Sequence, residues 1–157
     1  MEVLARVVVY GQPRSKGSKT TFITTAAWKK AEREGRKPRP VSKESNATTD
    51  WVRLVGQVMA RELDRLMFPL DQPVAVDAVF YLPRPKSRPH DDWYGHAPDG
   101  DKLARAVGDA GNKIGWKDDG RIAFWMIRKV YTDGPPCAVV TIGLPDAGDL
   151  PPAAPEP

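Results

Sequence analysis

The chain has one cysteine, Cys137, and two histidines among 157 residues. A lone cysteine closes no internal disulfide, which removes the oxidised, disulfide-framed folds. Two histidines and one cysteine are a poor donor set for zinc. No apolar run approaches the ~20 residues that span a bilayer, so no membrane segment is expected. The opening MEVLARVVVY is apolar but alternates like a strand and has no small-residue cleavage site, so it is not read as a secretory signal. There is no internal repeat, and an intracellular protein is expected.

Positive charge is missing from the C-terminal end: no Lys or Arg follows Lys129, and residues 146–157 carry Asp146, Asp149 and Glu156. It is concentrated at the other end. Residues 1–50 hold eleven Lys or Arg against five Asp or Glu, a local net of +6 in a chain whose net is +4. Such a segment is either a polyanion-binding surface or an ordinary solvated basic face.

Periodicity places the elements. Residues 3–10 alternate as a strand that stops at Gly11 and Pro13, followed by the basic loop GQPRSKGSKTTF. TTFITT suggests a short strand, but residues 20–47 give no clear pattern, and Trp28 is out of place in so polar a stretch. Thr48, Thr49 or Asp50 caps a helix whose apolar positions are Trp51, Leu54, Val55, Val58, Met59, Leu63 and Leu66, ended by Pro69 and Pro73. Residues 74–82 form a strand. A second helix spans about 101–113, with Leu103, Ala106, Val107, Ala110 and Ile114 as its stripe. Strands follow at 121–131 and 137–144, and the turn Asp133-Gly134-Pro135-Pro136 predicts that they form a hairpin. The fold class is α+β, a single mixed β-sheet with two packed helices. Residues 1–145 make one domain, and 146–157 form a disordered Pro/acidic tail.

The chemistry lies in PDGDKLARAVGDAGNKIGWKDDG, residues 98–120. Asp99 and Asp101 stand at a helix entrance, where either could simply cap, and Asp118-Asp119-Gly120 is an ordinary turn sequence. Together the four carboxylates describe a Mg²⁺ site better than a zinc site, because Mg²⁺ takes oxygen ligands and keeps several waters. The helix is ~20 Å long, so the two acidic pairs meet only if the chain returns along it or if they face each other across a dimer. Asp101, Arg105 and Asp109 share the helix face opposite the apolar stripe. Arg105 could orient a carboxylate, contact a phosphate or form a surface ion pair. Lys117 and Lys129 are further phosphate-contact candidates. His90, Asp91, Asp92 and His96 could in principle bind zinc, but their spacing matches no zinc motif. Trp93 and Tyr94 could stack on unpaired bases, although core packing is the commoner fate of a tryptophan.

PDGDKLARAVGDAGNKIGWKDDGRI, followed by Lys129 and a closing strand, resembles the RusA family of Holliday-junction resolvases, as do the loop GQPRSKGS and the segment YLPRPKS. The resemblance touches most of residues 3–143. It implies a homodimeric endonuclease that uses Mg²⁺, with Mn²⁺ as a substitute, and cuts four-way branched DNA in recombination and repair. Carried over, the catalytic set is Asp99, Asp101, Asp119 and Arg105, with Asp99, Asp101, Asp119 and the neighbouring Asp118 at the metal. Read from the basic charge and its placement, the expected DNA contacts are Arg14, Lys16, Lys19, Lys86, Lys117 and Lys129. Two positions depart from the family pattern: Lys102 stands where Asn is usual, and Arg105 where Lys is usual. Arg keeps the charge but cannot donate a proton at ordinary pH. The family is common in phage and prophage genomes, which implies the cytoplasm of a bacterial or phage-infected cell. The alternatives are a broader nuclease acting on flaps or forks, and a non-catalytic DNA-binding protein.

Overall fold

The alternating run at 74–82 sits at the centre of the sheet. In the computed structural model the chain forms β1 (Glu2–Tyr10), β2 (Thr20–Phe22), α1 (Thr25–Arg33), β3 (Val41–Lys43), α2 (Asn46–Glu62), β4 (Val74–Pro83), α3 (Gly100–Gly111), β5 (Ile122–Thr132) and β6 (Cys137–Leu144). The structure describes residues 1–17, 20–43, 45–88, 90 and 92–151. The main sheet is mixed, in the order β1-β6-β4-β5, while β2 and β3 form a separate two-stranded sheet. This is the expected α+β class, with a third helix, α1, that the polar composition of residues 20–47 conceals.

The hairpin expectation is corrected. β4 lies between β5 and β6, pairing parallel with the first and antiparallel with the second. The turn at 133–136 therefore spans two strand spacings, ~10 Å, instead of joining neighbours. At its β5 end, Arg84 at the end of β4 donates N–H to Thr132 O and pairs its guanidinium with Asp133 at 2.8 Å, and at its β6 end Gly11 after β1 donates N–H to Pro136 O. With α3 between them, β4 and β5 form a crossover unit, the connection that parallel neighbours require.

One sheet face is covered. Val76, Ala78, Phe80 and Leu82 of β4, Ala138, Val140 and Ile142 of β6, and Val7 and Val9 of β1 point into the core beneath α2 and α3. The opposite face carries the exposed Val3, Val8, Tyr10 and Met126, with Asp77 and Arg128 paired across it.

Two helix boundaries differ from the sequence reading. α2 starts one turn earlier, because Ser45 is the cap, its Oγ accepting from Thr48 N–H at 3.1 Å. It stops at Glu62 because Asp64 turns its carboxylate onto Leu66 N–H at 2.9 Å, a local bond that competes with helix. Leu66, expected on the apolar stripe, is 97% exposed. At the head of the Pro/acidic segment 146–157, Ala147–Asp149 form a 3₁₀ turn. The physical reason is a capping box: Asp146 accepts from Gly148 N–H while Asp149 accepts from Asp146 N–H, each at 2.9 Å. Residues 152–157 lie outside the described residues.

α2 and α3 lie close together at Gly56, where a Cβ would stand 3.3 Å from the Ala110 carbonyl. The end of α3 is sealed by Trp116, wholly buried, whose indole N–H donates to Gly108 O at 3.2 Å. A Cβ on Gly111 would stand 2.3 Å from that indole. Gly111→Ala should therefore destabilise the fold by about 1–3 kcal/mol, the usual cost of overpacking a filled core. Chemical denaturation should show a lower midpoint with an unchanged slope.

Candidate active site on the outer face of α3

Period and capping fix what α3 presents to solvent. With Leu103, Ala106, Val107 and Ala110 turned inward, Asp101, Arg105 and Asp109 stand one turn apart on the outward side. Ala104 and Gly108, one row over, are small enough to floor a cleft. β5 forms the other wall. It runs back along α3, so that Ile127 meets Gly100 near the start of the helix and Trp125 meets Gly108 near its end. The resulting open cleft, of about 250 Å³, is lined by Asp101, Arg105, Asp109, Asp119, Ile122, Trp125 and Ile127 among others. The chain thus takes the return route along the helix, and one carboxylate from each acidic segment, Asp101 and Asp119, lines the cleft within one subunit.

The four candidate carboxylates divide. Asp101 and Asp119 are exposed in the cleft. Asp99 occupies the N-cap position of α3, yet its carboxylate makes no cap bond. It pairs with Lys102 at 2.6 Å and lines a neighbouring hollow with Ser15, Ala97, Pro98 and Lys102. The hydrogen bond from Lys102 and its charge, with a smaller contribution from Lys129, hold Asp99 below the usual carboxylate range, and Asp99 raises Lys102 in return. Asp118 caps the 3₁₀ turn Asp119–Arg121, accepting from Gly120 N–H at 3.0 Å. Among the described residues, no three His, Cys, Asp or Glu side chains are grouped closely enough to form a metal cage.

The basic loop lies against this cleft. Lys16 N–H donates to Lys102 O at 2.9 Å, Thr48 Oγ1 donates to Ser15 O at 3.2 Å, and Gly17 sits beside the Arg105 guanidinium. Lys16 itself is paired with Asp109, so the helical neighbours Arg105 and Asp109 do not pair with each other. Arg105 is exposed and has no acidic partner among the described residues. That pattern is invisible in the sequence, because Lys16 and Asp109 are ninety-three positions apart.

The remaining basic candidates differ in what they already hold. Arg14 and Lys86 are exposed. Lys19 lies outside the described residues. Lys117 pairs with Asp71 at 2.7 Å, as does Arg121 at 2.6 Å, and Lys117 is the main reason Asp71 is held below the usual carboxylate range. Lys129 is half-buried and donates to the carbonyls of His96 and Pro98 at 2.7 and 2.9 Å. Its position is that of a strut beneath the loop preceding α3.

That loop also settles the aromatic pair. Trp93, for which core packing is the commoner expectation, is 68% exposed. It is held up by backbone bonds on either side: Tyr94 N–H donates to Lys129 O and Tyr131 N–H to Asp92 O. Tyr94 is the anchored member. Its hydroxyl donates to Ala97 O at 2.9 Å and its ring packs on Tyr131 with centroids 4.8 Å apart. Asp91 lies outside the described residues, and His96 is engaged through its carbonyl.

A mixed sheet with a carboxylate-and-arginine cleft on its helical side, and a basic loop docked at the rim, has the parts of an enzyme that cuts a phosphodiester. The chain matches the family described as Endodeoxyribonuclease RusA over residues 8–143 and belongs to that family, whose activity is endonucleolytic cleavage of DNA. No curated protein matches it. No helix among the described residues is long and apolar enough to cross a membrane.

Lys129→Met should loosen the loop that sets the entry to α3. Hydrogen bonds from a charged donor contribute about 1.5–3 kcal/mol when shielded, and partial exposure places this loss at or below the lower end. Differential scanning calorimetry should show a lower Tm, and hydrogen exchange should quicken at Tyr94.

Proposed function

We propose that the protein resolves Holliday junctions, cutting paired phosphodiesters of four-way DNA with the help of Mg²⁺, for which Mn²⁺ can substitute. The observation that carries this reading is that Asp101, Arg105 and Asp119 line a single cleft, within the span shared with the RusA family. The cell compartment consistent with it is the cytoplasm of a bacterium or a phage-infected host.

The donor chemistry fits a magnesium ion. Mg²⁺ is held by one or two carboxylates together with substrate phosphate and retained waters, and does not need an all-protein cage. Asp101 and Asp119 supply that pair, with Asp99 close by and Asp118 shaping the turn that presents Asp119. A divalent ion bound there supplies activation of water and neutralisation of phosphate charge. Arg105, free of carboxylate partners among the described residues, is placed to take the phosphate in a bidentate contact and stays protonated throughout. Lys16 neutralises Asp109 and so reduces the repulsion that a third carboxylate in the cleft would exert on DNA. Arg14 and Lys86 are exposed and can track backbone phosphates, and Trp93 offers a face for an unpaired base at the branch point. Two symmetric cuts need two such clefts, which a two-fold homodimer supplies.

Asp101→Asn and Asp119→Asn separate chemistry from binding. If Asp101 only favoured the start of α3, Asn would serve nearly as well. In a metal site, cleavage should fall by roughly 10²-fold or more while junction affinity without Mg²⁺ persists or improves. Paired gel-shift and cleavage assays on a four-way junction, a flap and a duplex check this. Near wild-type cutting by a folded Asp101→Asn protein rejects the assignment.

Lys102 adds a cation beside Asp99. Lys102→Asn should lower the Mg²⁺ concentration for half-maximal cleavage by several-fold, because opposing unit charges ~4 Å apart in water interact by ~1 kcal/mol and a divalent ion is repelled more strongly. A magnesium titration at fixed ionic strength measures it.

A further inference from the structure

Between the basic loop and α2 the chain leaves the main sheet and returns, forming an arm of β2, α1 and β3. The arm is rooted at the cleft. On one side Lys16 N–H is bonded to the Lys102 carbonyl; on the other, Thr48 at the start of α2 is bonded to Ser15. From that root rises a helix whose composition works against its own stability. Ala31 is the only buried residue of α1. Lys29 and Arg33 stand at i,i+4, and Lys30 and Arg33 at i,i+3, spacings at which like charges repel. Over residues 25–40 six Lys or Arg face two Glu, a net of +4. Glu34 is shared between Lys30 at 3.9 Å and Arg36 at 2.5 Å, which leaves Lys29, Arg33, Lys37 and Arg39 with no acidic partner among the described residues. Trp28, next to this cluster, is 58% exposed, and Phe22 and Ile23 at the end of β2 are exposed as well.

A small helix with one buried residue, a net positive face and an exposed tryptophan is well matched to a polyanion with apolar surface between its charges. We propose that the β2–α1–β3 arm is a clamp for a duplex arm of the substrate, gripping it outside the cleft through Lys29, Lys30 and Arg33 on phosphates, with Trp28 packed against the sugars. The clamp rests on the nuclease reading above and divides the work of the surface, with the cleft cutting at the branch and the clamp measuring the duplex that leads away from it. A duplex is favoured over an acidic protein because the charges are spaced along a helix face and rooted beside a DNA-cutting cleft, where a DNA arm must emerge.

The test compares wild-type protein with the triple variant Lys29→Ala, Lys30→Ala, Arg33→Ala, which keeps strong helix formers in α1. Binding is measured across a salt series to junctions with long arms and to junctions trimmed close to the branch. The variant should bind the long-armed junction at least tenfold more weakly, and its log K versus log salt slope should be shallower by up to about 2.7, since each phosphate contact contributes about 0.9. On trimmed junctions the two proteins should bind alike, and the cleavage rate at saturating DNA should be unchanged. Trp28→Phe should remove part of the fluorescence change on binding long-armed DNA. Equal affinity and equal slope for both proteins on long arms overturn the clamp while leaving the nuclease reading intact. A variant that loses affinity equally on trimmed junctions also overturns it. If wild-type protein binds long arms through the three residues but cuts nothing, the clamp stands and the nuclease reading falls. An arm that captures an acidic protein but leaves DNA affinity unchanged overturns the proposal in favour of that partner.

Discussion

Trp116 fixes the relation between α3 and β5, and with it everything on the cleft. Its indole fills the space that Gly111 leaves open and bonds back to Gly108, while backbone bonds from Lys113 N–H to Trp116 O and from Lys117 N–H to Leu70 O hold the short connection in place. Lys113 takes a left-handed conformation, φ 62°, within this connection. A chain so tightly reversed can only run back along the helix it has just left. That reversal brings Asp119 to the face that carries Asp101 and Arg105 and lays β5 beside β4. The geometry of the cleft is therefore a by-product of core packing at one aromatic residue, fifteen positions along the chain from Asp101 at the helix start.

Charge on this surface is arranged by what each cation is already holding. Lys16 is engaged with Asp109, Lys102 with Asp99, Lys117 with Asp71 and Lys129 with two carbonyls. Arg105 stands apart in the cleft. The exposed pair of Lys117 with Asp71 contributes little to stability. The lysine–aspartate pairs each cancel a carboxylate charge and leave the Arg105 guanidinium without an acidic partner among the described residues. Lys102 places a counter-charge beside Asp99, and Arg105 sets a permanently charged guanidinium fork in the cleft.

Much of this is legible in the sequence where local rules govern. The alternation of 74–82 and 137–144, the stripe of α3 and the shared face of Asp101, Arg105 and Asp109 follow from side-chain period alone. Strand order is not legible. A four-residue turn between two strands reads as a hairpin unless one knows that β4 occupies the space between them, and that depends on long-range pairing. The arm escapes a reading by pattern because a helix that buries only Ala31 leaves no apolar stripe, the signal on which helix recognition depends. Ser45 and Asp64 move the ends of α2 through side-chain bonds to nearby backbone, a competition that propensity resolves poorly. Trp93 departs from the usual fate of a tryptophan because its exposure is set by its position on an anchored loop and not by its chemistry.

The segment that carries Trp93 bears on how the molecule avoids its own kind. β5 is one of the two outer strands of the main sheet, and an outer strand offers unpaired N–H and C=O groups to any other extended chain. The bonds from Tyr94 to Lys129 and from Tyr131 to Asp92, with the bridge between Trp93 and Val130, occupy that edge over its C-terminal half. The same loop that lifts an aromatic ring toward solvent thus covers part of the strand's open edge against pairing with another extended chain.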